Sequence, residues 1–246
     1  MPQMEQNGNQ VQVSVVIPAY NEERKIADAV HDIVSYFEQK KLSYELIVSV
    51  DGTDRTREIV EDMAKGNPCI VLTGSSERRG KGMAVHEAIL KSRGAFVGYM
   101  DADNKTPASE FDQFLPELEK GTPVVIGNRA LSGTLTASSR PLARRVFSWA
   151  YLLFTHMLLG LWEITDTQCG FKFFQRDAGL ELFRAQKIMG YAFDVEILYL
   201  ARKKGYAIAQ VPVSFKHDPD SRMSVILGNL RSLRDTCLIR FLHLND

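Results

Sequence analysis

The sequence is poor in cysteine, and the few cysteines it has are not arranged in pairs. Its 246 residues include Cys69, Cys169 and Cys237, which are widely spaced and form no Cys-x-x-Cys motif. This pattern excludes a disulfide framework and a cysteine-based zinc site. It suits a protein of a reducing compartment, and we expect a cytoplasmic location.

Net charge, a signal-peptide pattern and a membrane-length hydrophobic run are also missing. The 30 basic residues balance the 30 acidic residues, so no overall field attracts nucleic acid. Residues 1–10 lack a basic stretch followed by an apolar core, and we interpret them as a flexible head. Residues 146–162 carry no Asp, Glu, Lys or Arg, but these 17 residues are fewer than the roughly 20 that cross a bilayer. They predict a core helix or a helix on a membrane surface rather than a membrane span.

Several common nucleotide-binding motifs are absent. A Walker A loop is excluded because Gly74 and Gly80 are one residue too far apart, and Gly82 follows Lys81 where Ser or Thr is required. No Gly-x-Gly-x-x-Gly follows a strand pattern, so dinucleotide redox chemistry has no support. A nucleotidyltransferase would need a glycine-rich, arginine-containing loop directly after the first strand, and the sequence has Pro-Ala-Tyr-Asn-Glu there.

The sequence does contain an alternation of strand and helix patterns, with 45% apolar residues to form a core. Strand patterns lie at about 11–17, 46–50, 70–72, 95–100 and 124–126, and helical patterns lie between them. We expect Pro18 to end the first strand and Asn21 to open the first helix. This alternation predicts an α/β fold, a mostly parallel sheet with helices on both faces. Ligands of such sheets bind at the carboxyl ends of the strands.

The sharpest chemical signal is a pair of carboxylates at one of these strand ends. Asp101, Ala102 and Asp103 directly follow an apolar strand pattern. Carboxylate oxygens suit Mg²⁺ or Mn²⁺, which bind one or two carboxylates together with substrate phosphate oxygens. A solvated turn or a helix N-cap would produce the same three residues. The pair alone therefore leaves both interpretations open.

Three further polar motifs also fall at strand ends. The first comprises Pro18, Ala19, Tyr20, Asn21 and Glu22, whose backbone N–H groups could meet a base or phosphate. The second contains Asp51, a candidate acceptor of hydrogen bonds from a nucleobase or ribose. The third is Arg-Arg-Gly-Lys-Gly at 78–82. Gly80 could let the backbone approach an anion closely, and Lys81 could contribute a positive charge. Taken alone, the first motif is better explained as a strand end followed by a helix cap, and in the second motif Thr53 or Asp54 could cap the next helix.

Taken together, these motifs resemble the family 2 glycosyltransferases of GT-A fold, in the branch of polyprenyl-phosphate sugar synthases. The resemblance covers about residues 13–241. It also includes Gly-Asn-Arg at 127–129, Asp-Thr-Gln-Cys-Gly-Phe-Lys at 166–172 and Ala-Phe-Asp-Val-Glu at 192–196. The last two motifs look most like the dolichyl-phosphate glucose synthases. The sequence departs from the family in three respects. The paired Asp-Asp-Gly-Ser of the family is shortened to Val-Asp-Gly-Thr at 50–53, and Lys105 stands where the mannose synthases have a glutamine that binds the metal. The sequence also shows no pattern of the membrane anchors that many relatives carry.

The resemblance implies an inverting transfer of a hexose, glucose from UDP-glucose, onto a dolichyl-type phosphate. It implies that Asp101 and Asp103 bind the metal, and that Asp103, Arg129 and Asp194 are catalytic. Arg222 lies in a polar segment that could close over the departing diphosphate. A phosphate acceptor is already mostly a dianion at neutral pH and needs no strong base. Arg129, Arg144 and Arg145 precede the uncharged residues 146–162, so they are candidates for the acceptor phosphate.

The C-terminal residues 223–244 form a helical pattern. One apolar face is expected from Val225, Ile226, Leu230, Leu233, Cys237, Leu238 and Phe241, with Arg231, Arg234 and Arg240 interleaved. A basic amphipathic helix can lie on anionic lipid or pack on the domain. We therefore expect a glycosyltransferase domain at 11–222, a C-terminal amphipathic helix at 223–246, and peripheral contact with the cytoplasmic face of a membrane.

Three alternatives remain. The donor could be GDP-mannose, or the acceptor could be a hydroxyl group with Asp194 as general base. The chain could also be a non-catalytic nucleotide-binding module, although the carboxylate pair argues against that.

Overall fold

The computed structural model describes residues 11–132, 142–215 and 225–244; for 142–145, 147 and 225–230 it describes the backbone alone. The strands of the described residues are β1 (Val13–Tyr20), β2 (Tyr44–Asp51), β3 (Ile70–Thr73), β4 (Phe96–Met100), β5 (Val124–Asn128), β6 (Phe171–Gln175) and β7 (Ile208–Pro212). The helices are α1 (Ile26–Lys40), α2 (Thr56–Gly66), α3 (Lys81–Lys91), α4 (Phe111–Glu119), α5 (Leu142–Leu159), α6 (Arg176–Ala185), α7 (Phe193–Lys203) and α8 (Val225–Leu242).

The strands form one sheet in the order β3-β2-β1-β4-β6-β5-β7. All pairings are parallel except those of β6, which runs antiparallel to both β4 and β5. The predicted mostly parallel sheet is confirmed. Strands β6 and β7 were not predicted, because the alternation of strand and helix patterns in the sequence ends at 124–126. The reversed direction of β6 was therefore not predicted either.

Side chains that alternate along the strands supply two cores, one on each face of the sheet. In β1, Val13, Val15 and Ile17 pack with α1, α2 and α4, whereas Val16 packs on the opposite face with α3, α6 and α7. Opposite orientation of successive side chains is the ordinary geometry of a strand. The helices on both faces therefore follow from apolar residues on both sides of the strands.

Two expectations about the first strand are wrong. β1 does not end at Pro18 but continues to Tyr20, and α1 begins at Ile26 rather than near Asn21. β1 pairs with β4 only from Val13 to Val16, so one side of the strand is unpaired beyond that point. Proline is tolerated where a strand has such an unpaired side.

The C-terminal helix forms, but its described part does not fully bury the predicted apolar face. Among residues 231–242 the buried side chains are Ser232, Thr236 and Ile239, and His243 just after the helix is also buried. Of the predicted face, Leu233, Cys237 and Leu238 are half-buried and 67% of Phe241 is exposed. Thr236 and Tyr151 share a hydrogen bond of 2.8 Å, and His243 bonds to Glu196. Polar side chains can be buried when they are paired in this way, which hydropathy does not anticipate.

Helix α5 is buried on one side only. Tyr151 and Leu159 are buried, whereas Val146, Trp149 and Met157 are more than half exposed. Within the three described ranges, no helix combines the length and apolar character needed to span a membrane.

Candidate functional site

Most of the predicted site residues that the structure describes lie at one edge of the sheet. The carboxyl ends of β1, β2 and β4 lie side by side because these strands are parallel neighbours. Strand β6 is antiparallel, so its first residue, Phe171, pairs with Met100, the last residue of β4. The loop at 166–170 therefore lies at the same edge as Asp101. Pairing of Asn128 with Pro212 brings the ends of β5 and β7 to this edge as well.

Each member of the carboxylate pair contacts a lysine. Asp101 Oδ1 lies 2.7 Å from Lys81 Nζ, and Asp103 Oδ2 lies 2.6 Å from Lys105 Nζ. The Asp101 side chain is 42% exposed, which leaves it accessible to a ligand. Burial acts to lower the pKa of Lys81, but the carboxylates of Asp101 and Asp194 outweigh it and raise the pKa. Lys81 is therefore an ammonium ion at neutral pH.

Gly170 leaves the space that the Asp101 side chain occupies. A Cβ atom at this position would overlap the Asp101 carboxylate. The glycine of the 166–172 motif is thus required by close approach. This explains a glycine that the sequence analysis had linked to the family pattern alone.

Asp194 is the centre of a buried network of charges. Its carboxylate accepts a hydrogen bond from the Tyr99 hydroxyl, and it lies 2.6 Å from Lys172 Nζ and 3.7 Å from Lys81 Nζ. Burial acts to raise the pKa of Asp194, but the two lysines and the hydrogen bonds outweigh it and lower the pKa. Burial and the nearby Asp194 charge raise the pKa of Tyr99 well above its ordinary value. Asp194 is therefore an anion whose contacts with these donors make it a weak base.

Arg129 is paired with Asp166 by two side-chain bonds. Arg129 Nε and Nη2 donate to Asp166 over 2.7 and 2.8 Å, and the Arg129 backbone N–H donates over 3.1 Å. The ring of Phe215 lies 5.2 Å from the guanidinium carbon. Burial acts to raise the pKa of Asp166, but its bonds to Arg129 lower it. This pairing holds Arg129 at the edge, beside Phe215.

Cys169 lies in the same loop without an evident chemical role. Its side chain is buried, and burial raises its pKa to about 11. A thiol with this pKa is protonated at neutral pH and is not a nucleophile. It packs beside Gly127, where a Cβ atom would approach its sulfur to 3.0 Å.

Asp51 organises the loop that follows β3. Its carboxylate accepts hydrogen bonds from the backbone N–H groups of Ser75 (3.2 Å) and Arg79 (3.0 Å) and from the Arg79 guanidinium (3.1 Å). Arg79 is paired in turn with Glu87 over 2.9 Å. These contacts occupy oxygens that we expected to accept from a nucleobase or ribose, and that role stays a prediction.

The turn after β1 is also held within the protein. The N–H groups of Glu22 and Glu23 donate to Thr56 and Asp54 over 2.8 and 3.1 Å. Asn21 adopts a left-handed φ of 53°, and its side chain accepts from the Thr53 N–H. Tyr20 remains 42% exposed, with the Arg78 guanidinium 4.5 Å from its ring centre. Tyr20 thus offers a ring to a ligand, whereas two of the expected N–H groups have partners.

The two glycines at the start of α3 contact a neighbouring backbone. A Cβ atom at Gly80 or at Gly82 would approach the carbonyl of Met189 within 3 Å, and Gly80 has a φ of 106°. The Met83 N–H donates to that same carbonyl over 3.2 Å. These glycines therefore bring α3 against the 189–190 backbone, and they place Lys81 in the first turn of the helix.

Glu196 and His243 form a buried pair that the sequence analysis missed. The His243 ring nitrogen lies 2.6 Å from Glu196, which also accepts from the backbone N–H groups of Lys187 and Ile188. Glu196 follows Asp194 by two residues, which places the two on opposite sides of α7. Only Asp194 faces the candidate site. The two-residue spacing of Asp194 and Glu196 on a helix was the signal that could have predicted that only one of them faces the site.

Some predicted site residues cannot be located. Arg222 lies outside the described residues, and the side chains of Arg144 and Arg145 at the start of α5 are not described. Their assignments stay predictions.

The donor set at the edge fits a divalent cation that shares its ligands with a substrate. Asp101 and Asp103 are hard oxygen ligands at an accessible position. Among the described residues, no group of three or more His, Cys, Asp or Glu side chains is placed to hold a metal. Mg²⁺ and similar ions are commonly held by one or two carboxylates plus phosphate oxygens. The site therefore fits a cation that arrives with a diphosphate.

Comparison with known proteins agrees with this geometry. The family described as Glycosyl transferase family 2 matches residues 14–183. A dolichyl-phosphate beta-glucosyltransferase of Trichomonas vaginalis is 34% identical over 88% of this chain and 67% of its own length. The corresponding protein of Dictyostelium discoideum is 32% identical over 99% of this chain and 79% of its own length.

Solved structures confirm the GT-A fold. A glucosyl-3-phosphoglycerate synthase from Mycobacterium tuberculosis, in complex with uridine diphosphate, superposes with a TM-score of 0.69. The identity is 22%, and the match covers 93% of this chain and 79% of that one. At this level of identity the likeness concerns the fold.

Proposed function

Because the chain belongs to glycosyl transferase family 2, we propose that it transfers glucose from UDP-glucose to a dolichyl-type polyprenyl phosphate, with inversion at the anomeric carbon. The observation that carries the proposal is the Asp101–Asp103 pair, with Asp101 exposed and Asp103 half-buried, at the edge where the strand ends meet. The names of relatives at 32–34% identity support the glucose donor and the dolichyl phosphate acceptor.

The chemistry of the acceptor agrees with the state of Asp194. An acceptor phosphate oxygen attacks C1 of the sugar, and the bond from C1 to the donor diphosphate breaks. A phosphate dianion carries no proton that must be removed, so the step needs no general base. A lowered pKa makes Asp194 a poor base, and its contacts with Lys172 and Lys81 suit it to hold those lysines in place. These features favour a phosphate acceptor over a hydroxyl acceptor.

The leaving group is a nucleoside diphosphate, and its developing charge must be stabilised. Asp101 and Asp103 would hold the divalent cation, which acts as a Lewis acid on the diphosphate. Lys81 and Lys105 lie beside the pair and offer positive charge to the same group. Such preorganised charge is commonly the largest contribution to catalysis of this kind.

The acceptor must be bound by its charged head and its apolar tail together. Arg129, Arg144 and Arg145 are proposed for the phosphate, because guanidinium groups match phosphate oxygens. Arg144 and Arg145 immediately precede Val146, which with Trp149 and Met157 forms an exposed stripe along α5. An apolar stripe at helical spacing suits an isoprenoid chain or a membrane surface. We therefore propose peripheral contact with the cytoplasmic face of a membrane.

A transfer assay tests this function. The protein is incubated with Mn²⁺, a short polyprenyl phosphate and either labelled UDP-glucose or labelled GDP-mannose, and the product is extracted into organic solvent. We expect label from UDP-glucose in the organic phase. Label from GDP-mannose alone would change the donor, and transfer to a soluble hydroxyl acceptor without polyprenyl phosphate would change the acceptor.

A matched pair of variants assigns the activity to the carboxylate pair. Asp103→Asn is expected to lower transfer roughly 100-fold or more, because it removes an anionic ligand from the leaving-group site. Asp62→Asn is the control, since Asp62 is an exposed partner of Lys65 on α2. Equal activity of the two variants, or full activity of the wild type in excess EDTA, contradicts the metal role.

A further inference from the structure

The two carboxylates of the candidate metal site are each neutralised by a separate lysine. Lys81 contacts Asp101 over 2.7 Å, and Lys105 contacts Asp103 over 2.6 Å. The Lys105 side chain is only 14% exposed, and its own backbone N–H also donates to Asp103 over 3.3 Å. Both ammonium groups are therefore drawn close to the oxygens that a cation would bind.

These contacts oppose the binding of a cation on its own. A divalent cation that approached Asp101 and Asp103 would meet two ammonium groups of the same sign at short range. Both lysines would have to move, and an ammonium group moved from a carboxylate needs another acceptor. A nucleoside diphosphate supplies such acceptors, because it brings several anionic oxygens to the same edge.

The surrounding network allows the lysines to leave without stranding a buried acid. Lys81 lies 3.7 Å from Asp194, but Asp194 is also paired with the fully buried Lys172 over 2.6 Å. If Lys81 moves, Asp194 keeps a cation. The Lys105 ammonium group lies 6.0 Å from the Phe215 ring centre. The flexible methylene chain of a lysine permits its ammonium group to move.

We infer that Lys81 and Lys105 occupy the Asp101–Asp103 pair in the absence of substrate and transfer to the diphosphate when it arrives. The inference rests on the proposed function and adds an order of events to it. The divalent cation binds weakly to the free protein and tightly together with the nucleotide. By linkage, the cation must strengthen nucleotide binding by the same factor, and such factors commonly lie between about 5 and 150.

The test measures Mn²⁺ binding, and the electron paramagnetic resonance signal of free Mn²⁺ is the readout. Wild type, Lys105→Met and Lys81→Met are titrated with Mn²⁺, with and without UDP. The Mn²⁺ that UDP binds in solution is measured without protein and subtracted. For the wild type we expect UDP to tighten Mn²⁺ binding at least about tenfold. For Lys105→Met we expect Mn²⁺ alone to bind at least about tenfold more tightly than to wild type, with little further gain from UDP.

The choice of variants separates the effect of charge from other effects. Methionine removes the charge but keeps the length of the side chain, whereas glutamine could itself offer an oxygen to the cation. Lys65→Met is the control, because Lys65 is an exposed residue paired with Asp62 away from the site. Asp103→Asn should lose Mn²⁺ binding under both conditions, which shows that the signal reports this site. Circular dichroism establishes that each variant is folded.

The outcomes distinguish this inference from the proposed function. If UDP promotes Mn²⁺ binding to wild type but Lys105→Met binds Mn²⁺ alone no more tightly than wild type, the lysine role is wrong and the metal role stands. If wild type binds no Mn²⁺ even with UDP, the metal role itself is wrong, and the inference is lost with it. Tighter binding of Mn²⁺ alone to Lys105→Met, with Lys65→Met unchanged, supports the inference.

Discussion

At the residue scale, most acid–base pairs of the candidate site join residues that are distant in the sequence. Arg79 follows Asp51 by 28 residues, Asp166 follows Arg129 by 37, and Asp194 follows Lys172 by 22. In each pair at least one member is buried. Removal of one partner of a buried ion pair leaves an uncompensated charge, which commonly costs about 3–5 kcal/mol. Variants at these positions therefore need a stability measurement beside the activity assay.

Gly170→Ala tests the close contact beneath Asp101. The new methyl group would overlap the Asp101 carboxylate, so that carboxylate must move. It would then leave the position from which it and Asp103 are proposed to bind one cation. We expect transfer activity to fall by at least about tenfold, the equivalent of 1.4 kcal/mol at the transition state. Gly66→Ala is the control, because a Cβ atom there meets no atom within 4 Å. Unchanged activity in Gly170→Ala would show that Asp101 tolerates displacement.

Arg145→Ala tests the proposed acceptor site. Loss of a guanidinium–phosphate contact is expected to raise the apparent KM for polyprenyl phosphate by roughly tenfold, or about 1.4 kcal/mol. The KM for the nucleotide sugar should stay nearly unchanged. The measurement is steady-state kinetics with each substrate varied in turn. The opposite pattern, with donor binding lost and acceptor kinetics unaffected, would place this arginine at the diphosphate.

At the element scale, the C-terminal helix α8 is attached to the domain through its hydrogen-bonded side. Thr236 bonds to Tyr151 of α5, and His243, just beyond the helix, bonds to Glu196 of α7. The Arg240 guanidinium donates over 3.2 Å to the carbonyl of Leu158 near the end of α5. Helix ends leave such carbonyls without partners inside the helix. Arg240, one of the interleaved arginines, therefore caps a carbonyl at the C-terminal end of α5.

A pair of substitutions on α8 distinguishes the observed buried face from the predicted one. Ile239 is fully buried in the second core, so Ile239→Ala is expected to lower the free energy of unfolding by about 2–5 kcal/mol. Phe241→Ala should change it by no more than about 0.5 kcal/mol, because that ring is 67% exposed. Urea unfolding measures both. A larger decrease in the free energy of unfolding for Phe241→Ala than for Ile239→Ala would show that the apolar face expected from hydropathy is the buried one.

At the scale of the whole molecule, the sheet separates two apolar cores, and the charged site lies at its edge. The carboxylates of Asp166 and Asp194 are nearly or fully buried there, and their pairing lowers both pKa values. A carboxyl group whose pKa is lower in the folded state binds a proton more readily in the unfolded state. Its stabilising contribution is therefore complete above the unfolded pKa of about 3.9 and is lost as the pH falls below it.

We expect the free energy of unfolding to decrease as the pH is lowered from about 5 to 3. Urea unfolding at several pH values measures this decrease. Asp166→Asn should make the decrease shallower, since one of these two paired carboxyl groups no longer titrates. A free energy of unfolding that is constant or increases over this interval is incompatible with the paired state of these residues.

The sequence by itself determined strands β1 to β5, the helices on both faces of the sheet and the edge at which the site lies. Strand and helix periodicities are local, and the carboxyl ends of parallel strands must share an edge, so Asp51 and Asp101 could be placed without coordinates. Only the tertiary structure decided their partners. The lysine on Asp101, the direction of β6 and the buried face of α8 depend on contacts between residues far apart in the chain, whereas Lys105 lies only two residues from Asp103. Hydropathy could not assign His243 and Thr236 to the interior, because burial of a polar side chain depends on the partner it meets there.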